Sequence, residues 1–122
     1  MSGPVRTTSI QDRPVTAGAI TVAPVEIRPS EGLTVVDGRV VPLSVREFDL
    51  LIALARRSGH VVARDELFAT VWGRTLRRGD RSIDVYIHKL RQKLERASPG
   101  WAFIHTHIGF GYRFAPEPQV GP

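Results

Sequence analysis

The 122-residue chain contains no cysteine. That absence removes disulfides, thiolate nucleophiles and cysteine-ligated zinc together. No apolar run approaches the ~20 residues of a membrane span, and the N-terminus lacks the basic start and apolar stretch of a secretion signal. The expected compartment is therefore the cytoplasm, with no membrane partner. No glycine-rich phosphate loop follows a strand, and no nucleophile-elbow motif is present. His105 and His107 stand two apart, but no third ligand is near them in sequence, so no metal is expected. Neither an enzyme nor a cofactor is expected.

What the chain has is positive charge, gathered in one place. Residues 1–73 carry eight arginines and eight acids, and residues 97–122 carry one of each sign. The segment 74–96 holds eight basic side chains against Asp80, Asp84 and Glu95, which is the whole net charge of +5. A solvated helix face would mix the signs at i,i+4 spacing. Charge concentrated on one loop and one helix is what a nucleic-acid footprint requires.

The apolar fraction of 42% suits a globular chain, and the length suits one domain with a modest core. Residues 1–18 are rich in Pro, Thr, Ser and Gly and read as a flexible tail, with the domain over 19–116 and a second tail over 117–122. Four short β-rich runs follow, Ile20–Ala23, Val25–Arg28, Leu33–Val36 and Arg39–Leu43, the last two joined by an Asp37-Gly38 hairpin signal. Ser44 opens a first helix with the capping box "SVRE". Its predicted core face is Phe48, Leu51, Ile52, Leu54 and Ala55, and Gly59 is its predicted cap. A second helix is predicted from Asp65 to Trp72, with Leu67, Phe68 and Val71 inward. "GRTLRRGD" reads as a loop whose Asp80 caps a third helix running to about Ala97. "WAFIHTHIGFGYRF" reads as a β-hairpin around Gly109 and Gly111.

The third helix poses a puzzle. Its apolar stripe is Ile83, Ile87, Leu90 and Leu94. At about 100° per residue, Val85 falls nearly opposite, among Arg81, Ser82, His88, Lys89 and Gln92. A solvated basic face has no use for a β-branched hydrophobe. The major groove of DNA, however, offers phosphates on its walls and thymine methyls on its floor. The alternative is a valine that fills a gap against neighbouring structure.

The fold expected is α+β: a small N-terminal antiparallel sheet, three helices and a C-terminal hairpin, the layout of a winged helix-turn-helix. "LSVREFDLLIAL", "GHVVARDELFATVWG", "RSIDVYIHKLRQKL" and "HTHIGFGYRF" match, in order and spacing, the OmpR/PhoB-type DNA-binding domain of bacterial response regulators. The chain resembles that family from about Val25 to Phe114. The resemblance implies sequence-specific binding of double-stranded DNA and transcription regulation within a two-component system. A helix over about 81–97 would enter the major groove and a wing over about 101–115 the minor groove. It implies base reading by Ser82, Val85, Lys89 and Gln92. Phosphate contacts fall to Trp72, Arg81, Tyr86, His88, Arg91, Thr106 and Tyr112, although Trp72 and Tyr112 could equally be core rings with one polar tip. Arg74, Arg77 and Arg78 fall where relatives contact RNA polymerase, or they touch flanking phosphates. A monomer that forms a tandem dimer on direct-repeat half-sites is the implied assembly.

One position departs from the family. Many relatives place an arginine before the Gly-x-Gly-Tyr of the wing, and here Ile108 stands there. Isoleucine cannot exploit the minor-groove potential as arginine does. His107 substitutes in part only when protonated. Ile108 and Phe110 could instead form an apolar tip that meets a protein or wedges against sugars. About 18 residues precede the first strand, too few for a receiver domain of about 100 residues or more. An excised effector domain and a free-standing regulator both fit. A protein-interaction module and a nonspecific DNA-coating protein are the competing function classes. The former would favour an uncharged third helix, the latter basic residues on several faces.

Overall fold

A computed structural model describes residues 18–119. Four strands, β1 (Ile20–Val22), β2 (Val25–Arg28), β3 (Leu33–Val36) and β4 (Arg39–Val40), form an antiparallel sheet in that order. Alternation decides which face is buried: Val25 and Ile27 of β2 oppose Val36 and Thr34 of β3, and all four point inward. Asp37 and Gly38 both take positive φ, 51° and 78°, as the two-residue turn between β3 and β4 demands. β1 and β4 are shorter than expected. Prolines without an N–H stand just beyond each, at Pro24 and Pro42.

Helix α1 (Val45–Ala55) begins at the predicted capping box. Ser44 Oγ accepts from the Glu47 N–H at 3.2 Å, and Glu47 Oε1 accepts from the Ser44 N–H at 2.8 Å. Its buried face differs from the expected one, because Leu50 is fully enclosed while Phe48 and Ile52 are half-buried. α1 packs on the N-terminal sheet, on both other helices and on the last strand, so more of its circumference is covered than one stripe. Gly59 is not its cap. The helix closes at Arg56, and the Gly59 N–H instead reaches across to the Phe114 carbonyl at 2.8 Å.

A strand absent from the sequence reading follows: β5 (Val61–Val62), paired with the final strand. Helix α2 (Arg64–Trp72) has Asp65 and Glu66 at its positive end and stops at Gly73 in the left-handed region. Leu67 and Phe68 are buried as predicted, and Val71 only partly. Helix α3 (Ser82–Ala97) has Arg81, not the expected Asp80, at its N-cap; Asp80 stands one residue further out, where its Oδ1 accepts from the Ser82 N–H at 2.8 Å. Its stripe of Ile83, Ile87, Leu90 and Leu94 is sealed into the core.

The wing is the hairpin of β6 (Trp101–His107) and β7 (Gly111–Pro118), which with β5 makes a sheet ordered β5-β7-β6. β7 takes in Glu117 and Pro118, which the sequence reading placed in a C-terminal tail. The N-terminal tail predicted over 1–18 lies almost wholly outside the described residues. One core joins both sheets and all three helices, centred on Leu50, Leu54, Phe68, Ile87, Phe103 and Phe114. Three helices and a hairpin wing, with the basic helix third, form the expected winged helix.

Candidate nucleic-acid interface

The two faces of α3 divide sharply. Ile83, Ile87, Leu90 and Leu94 are at most 1% exposed, while Val85, in the same helix, is 48% exposed. Arg81, His88, Lys89 and Gln92 are exposed around it, and Ser82 is half-buried at the helix start. Lys89 Nζ stands 5.5 Å from the centroid of the Tyr86 ring, a cation–π contact that aims the lysine along the outer face. The gap-filling alternative for Val85 requires cover that this surface lacks.

Aromatic contacts fix the angle between α2 and α3. Phe68 and Trp72 stack at 4.5 Å, Tyr86 meets Trp72 edge-on at 5.7 Å, and the Arg46 guanidinium lies 4.7 Å above Trp72. Arg46 also donates to the Val71 carbonyl at 3.0 Å, tying α1 to the end of α2. Trp72 and Tyr86 are thus packed rings at the rim of the outer face.

A carboxylate among the arginines organises the rest. Asp84 is gripped by Arg64 and accepts from the Tyr112 hydroxyl at 2.5 Å, with Arg81 3.6 Å away. The hydrogen bonds from Arg64 hold the Asp84 carboxyl below the usual carboxylate range, against the opposing effect of burial. Burial, aided by Asp84, pushes the Tyr112 hydroxyl up to about 12. Tyr112, expected to bind phosphate, is a buried ring whose hydroxyl is engaged with α3. Arg91 likewise reaches the wing, donating to the Ile104 carbonyl at 3.1 Å and to Thr106 Oγ1 at 2.8 Å. These residues bolt wing, α2 and α3 into one surface. The sequence reading missed Arg64 and Asp84; a lone acid in the first turn of a basic helix was the available signal.

On the loop between α2 and α3, Arg74 lies over Phe68 and 3.7 Å from Asp80, whereas Arg77 and Arg78 are exposed. In the wing, His107 Nε2 accepts from Arg113 Nε at 3.0 Å, and His105 Nε2 meets the Ala115 carbonyl at 2.8 Å. Among the described residues no group of three His, Asp or Glu side chains is placed to hold a metal, and no helix is long and apolar enough to cross a membrane. Ile108 and Phe110 project from the wing tip.

A family model described as "Transcriptional regulatory protein, C terminal" matches residues 38–114. The chain belongs to that family. It is 39% identical over 79 residues to the response regulator SaeR of Staphylococcus aureus, a match that covers 65% of this chain and 35% of SaeR. The chain thus spans about a third of the length of the curated relatives it matches. The RstA DNA-binding domain of Klebsiella pneumoniae, solved in complex with the RstA box, superposes with a TM-score of 0.72 at 35% identity, covering 80% of this chain and 96% of that one. DrrB, described as a Thermotoga maritima OmpR/PhoB homologue, superposes at 0.68 with 25% identity, covering 93% of this chain and 50% of that one. The family match begins at Gly38, yet the likeness to DrrB takes in more of the chain than that match does. The N-terminal sheet packs into the same core as the three helices.

Proposed function

We propose that this domain binds double-stranded DNA sequence-specifically and regulates transcription, with α3 in the major groove and the wing over the adjacent minor groove. The observation that carries the reading is the outer face of α3, where a half-exposed valine sits amid Arg81, His88, Lys89 and Gln92. Cations alone serve phosphates; cations around an apolar side chain fit a groove floor that carries methyl groups. Ser82, Val85, Lys89 and Gln92 are the base readers. Arg81, His88 and Thr106, with the polar ends of Trp72 and Tyr86, take phosphates; Arg91 and Tyr112 add to this mainly by fixing the wing. Arg74, Arg77 and Arg78 contact flanking phosphates or RNA polymerase. No catalysis is assigned, and the domain works in the bacterial cytoplasm, as a monomer that pairs head-to-tail on direct repeats.

The test is a binding assay of the domain against a duplex selected from a random pool and a scrambled duplex, each at two salt concentrations. Specific binding should exceed nonspecific by about 10³-fold or more, with log K falling linearly against log salt for both. Equal affinity for the two duplexes overturns the sequence-specific reading.

A further inference from the structure

Ile108 is 90% exposed and Phe110 75%, side by side at the wing tip. The turn that presents them is braced. The Phe110 N–H donates to the His107 carbonyl at 2.8 Å, and Gly109 between them has φ +82°. Behind the tip, Gly111 runs so close to β5 that a Cβ there would lie 2.0 Å from the Val62 carbonyl oxygen, at a φ of +151°. Two large apolar side chains are therefore held out on a stiff point, not on a loose loop.

Charge is balanced in the cleft beside that point and turns cationic in the next one. Ile108 and Phe110 line an open cleft of about 420 Å³ together with Arg64, Asp65 and Leu76. Arg64 and Leu76 also line the neighbouring cleft with Arg77, Arg78 and Arg81, where Asp80 is the one acid. The apolar tip is thus continuous with the arginines of the loop and of the α3 start. A greasy protein partner has no need of that rim. A partner that is polyanionic outside and apolar within has, and stacked base pairs between phosphate strands are such a partner.

We infer that Ile108 and Phe110 are a wedge that enters the minor groove, partly unstacks one base step and bends the duplex. The inference rests on the DNA-binding reading and adds a deformation to it. Stiff apolar side chains unstack bases, whereas an arginine at the same place would lie along the groove. The wedge also sets a preference: pyrimidine–purine steps, which unstack most easily, belong beneath the tip.

The experiment uses the domain with a duplex that it selects from a random pool. Bending is read by energy transfer between dyes on the duplex ends, and unstacking by 2-aminopurine placed at each step in turn. The unaltered domain should bend the duplex by about 20–90° and raise fluorescence at one step only. A mismatch at that step should tighten its binding several-fold. Ile108→Ala with Phe110→Ala should leave the duplex straight, silence the fluorescence and gain nothing from the mismatch. Thermal unfolding of the double variant should match that of the parent, since both side chains are exposed. A straight duplex with the parent domain, or unchanged bending in the variant, overturns the wedge. Unchanged bending together with lost RNA polymerase recruitment would make the tip a protein-docking surface instead. Failure to select any duplex would remove the DNA-binding reading itself, an outcome distinct from bound but unbent DNA.

Discussion

The carboxylate of Asp84, in the first turn of α3, is held from two directions by Arg64 at the start of α2, with Nε–Oδ1 at 2.9 Å and Nη2–Oδ2 at 2.7 Å. Tyr112 of the wing donates to the same carboxylate. One acid thereby fixes α3, α2 and the wing against each other. A cluster of eight basic residues needs such a fixed point, because charge alone does not set an orientation.

This junction makes stability fall at both ends of the pH scale. The depressed Asp84 carboxyl contributes stability that is complete above its unfolded value of about 4 and is lost as pH falls below that towards the folded value. Tyr112 works in the opposite sense. Its raised value means that the contribution is complete below about pH 10, the unfolded value, and is lost as pH rises towards about 12. Tyr112→Phe should cost about 1 kcal/mol near neutrality and should flatten the alkaline arm relative to the parent. Asp84→Ala leaves two donors without their acceptor and should cost about 1–3 kcal/mol, flattening the acid arm. Urea unfolding from about pH 3 to 11, a span that brackets both unfolded values, reads both. Parallel curves for parent and variants would show that the junction does not carry the pH dependence.

A second acid, Glu47, is 2% exposed, closes the capping box of α1 and accepts from Lys93 Nζ of α3 at 2.7 Å. Burial alone would push its carboxyl up, but the hydrogen bonds from Lys93 and Ser44 outweigh burial and hold it below the usual range. Lys93→Met removes the main counterweight. The variant should be less stable by about 1–3 kcal/mol near neutral pH, and the deficit should shrink below about pH 5 as Glu47 takes up a proton. A deficit that stays constant down to about pH 4, the ordinary carboxylate value, would mean that lost packing of the lysine stem, not the stranded carboxylate, is responsible.

How much of this was legible in the sequence depended on the range of the interaction. The α3 stripe, the α1 capping box and the Asp37-Gly38 turn are local patterns, written within a few residues, and each stands where it was expected. β5 is two residues long and exists because Val61 and Val62 pair with Arg113 and Tyr112, far along the chain. No periodicity can announce such a strand. Gly59 looked like a helix cap, yet its N–H is taken by Phe114 of the wing sheet. Val85 was readable from the helical wheel alone. Asp84 lies 20 residues from Arg64 and 28 from Tyr112, and only the fold brings them together.

Arg81 and Lys89 lie on the same outer face but should behave differently on DNA. The Arg81 side chain is 81% exposed and stands at the N-cap of α3, and the proposed function gives it a phosphate. Arg81→Ala should weaken binding to all duplexes alike and reduce the salt slope by about one. Lys89 projects along the face that carries Val85, so Lys89→Ala should narrow the gap between selected and scrambled duplexes by about 1–3 kcal/mol. Titrations of both variants on both duplexes decide the matter. Equal losses on every duplex for the two variants would deny the division between phosphate and base contact.

Val85 offers the sharpest test, since both the protein atom and its partner can be removed singly. If its side chain packs on a thymine methyl, Val85→Ala should weaken binding to the selected duplex by about 0.8 kcal/mol or somewhat more, the worth of one buried methylene-sized group. Replacing the contacted thymine by uracil should cost the parent a similar amount and the variant almost nothing. The coupling arises only if the two methyl-bearing groups touch. The fold should be indifferent, because Val85 is half-exposed and turned away from Ile83, Ile87 and Leu90. Thermal unfolding without DNA checks that point. Additive losses in the protein–base cycle would place the thymine contact elsewhere. A stability loss of about 2 kcal/mol or more, as core truncations give, would mean that Val85 is part of the core after all.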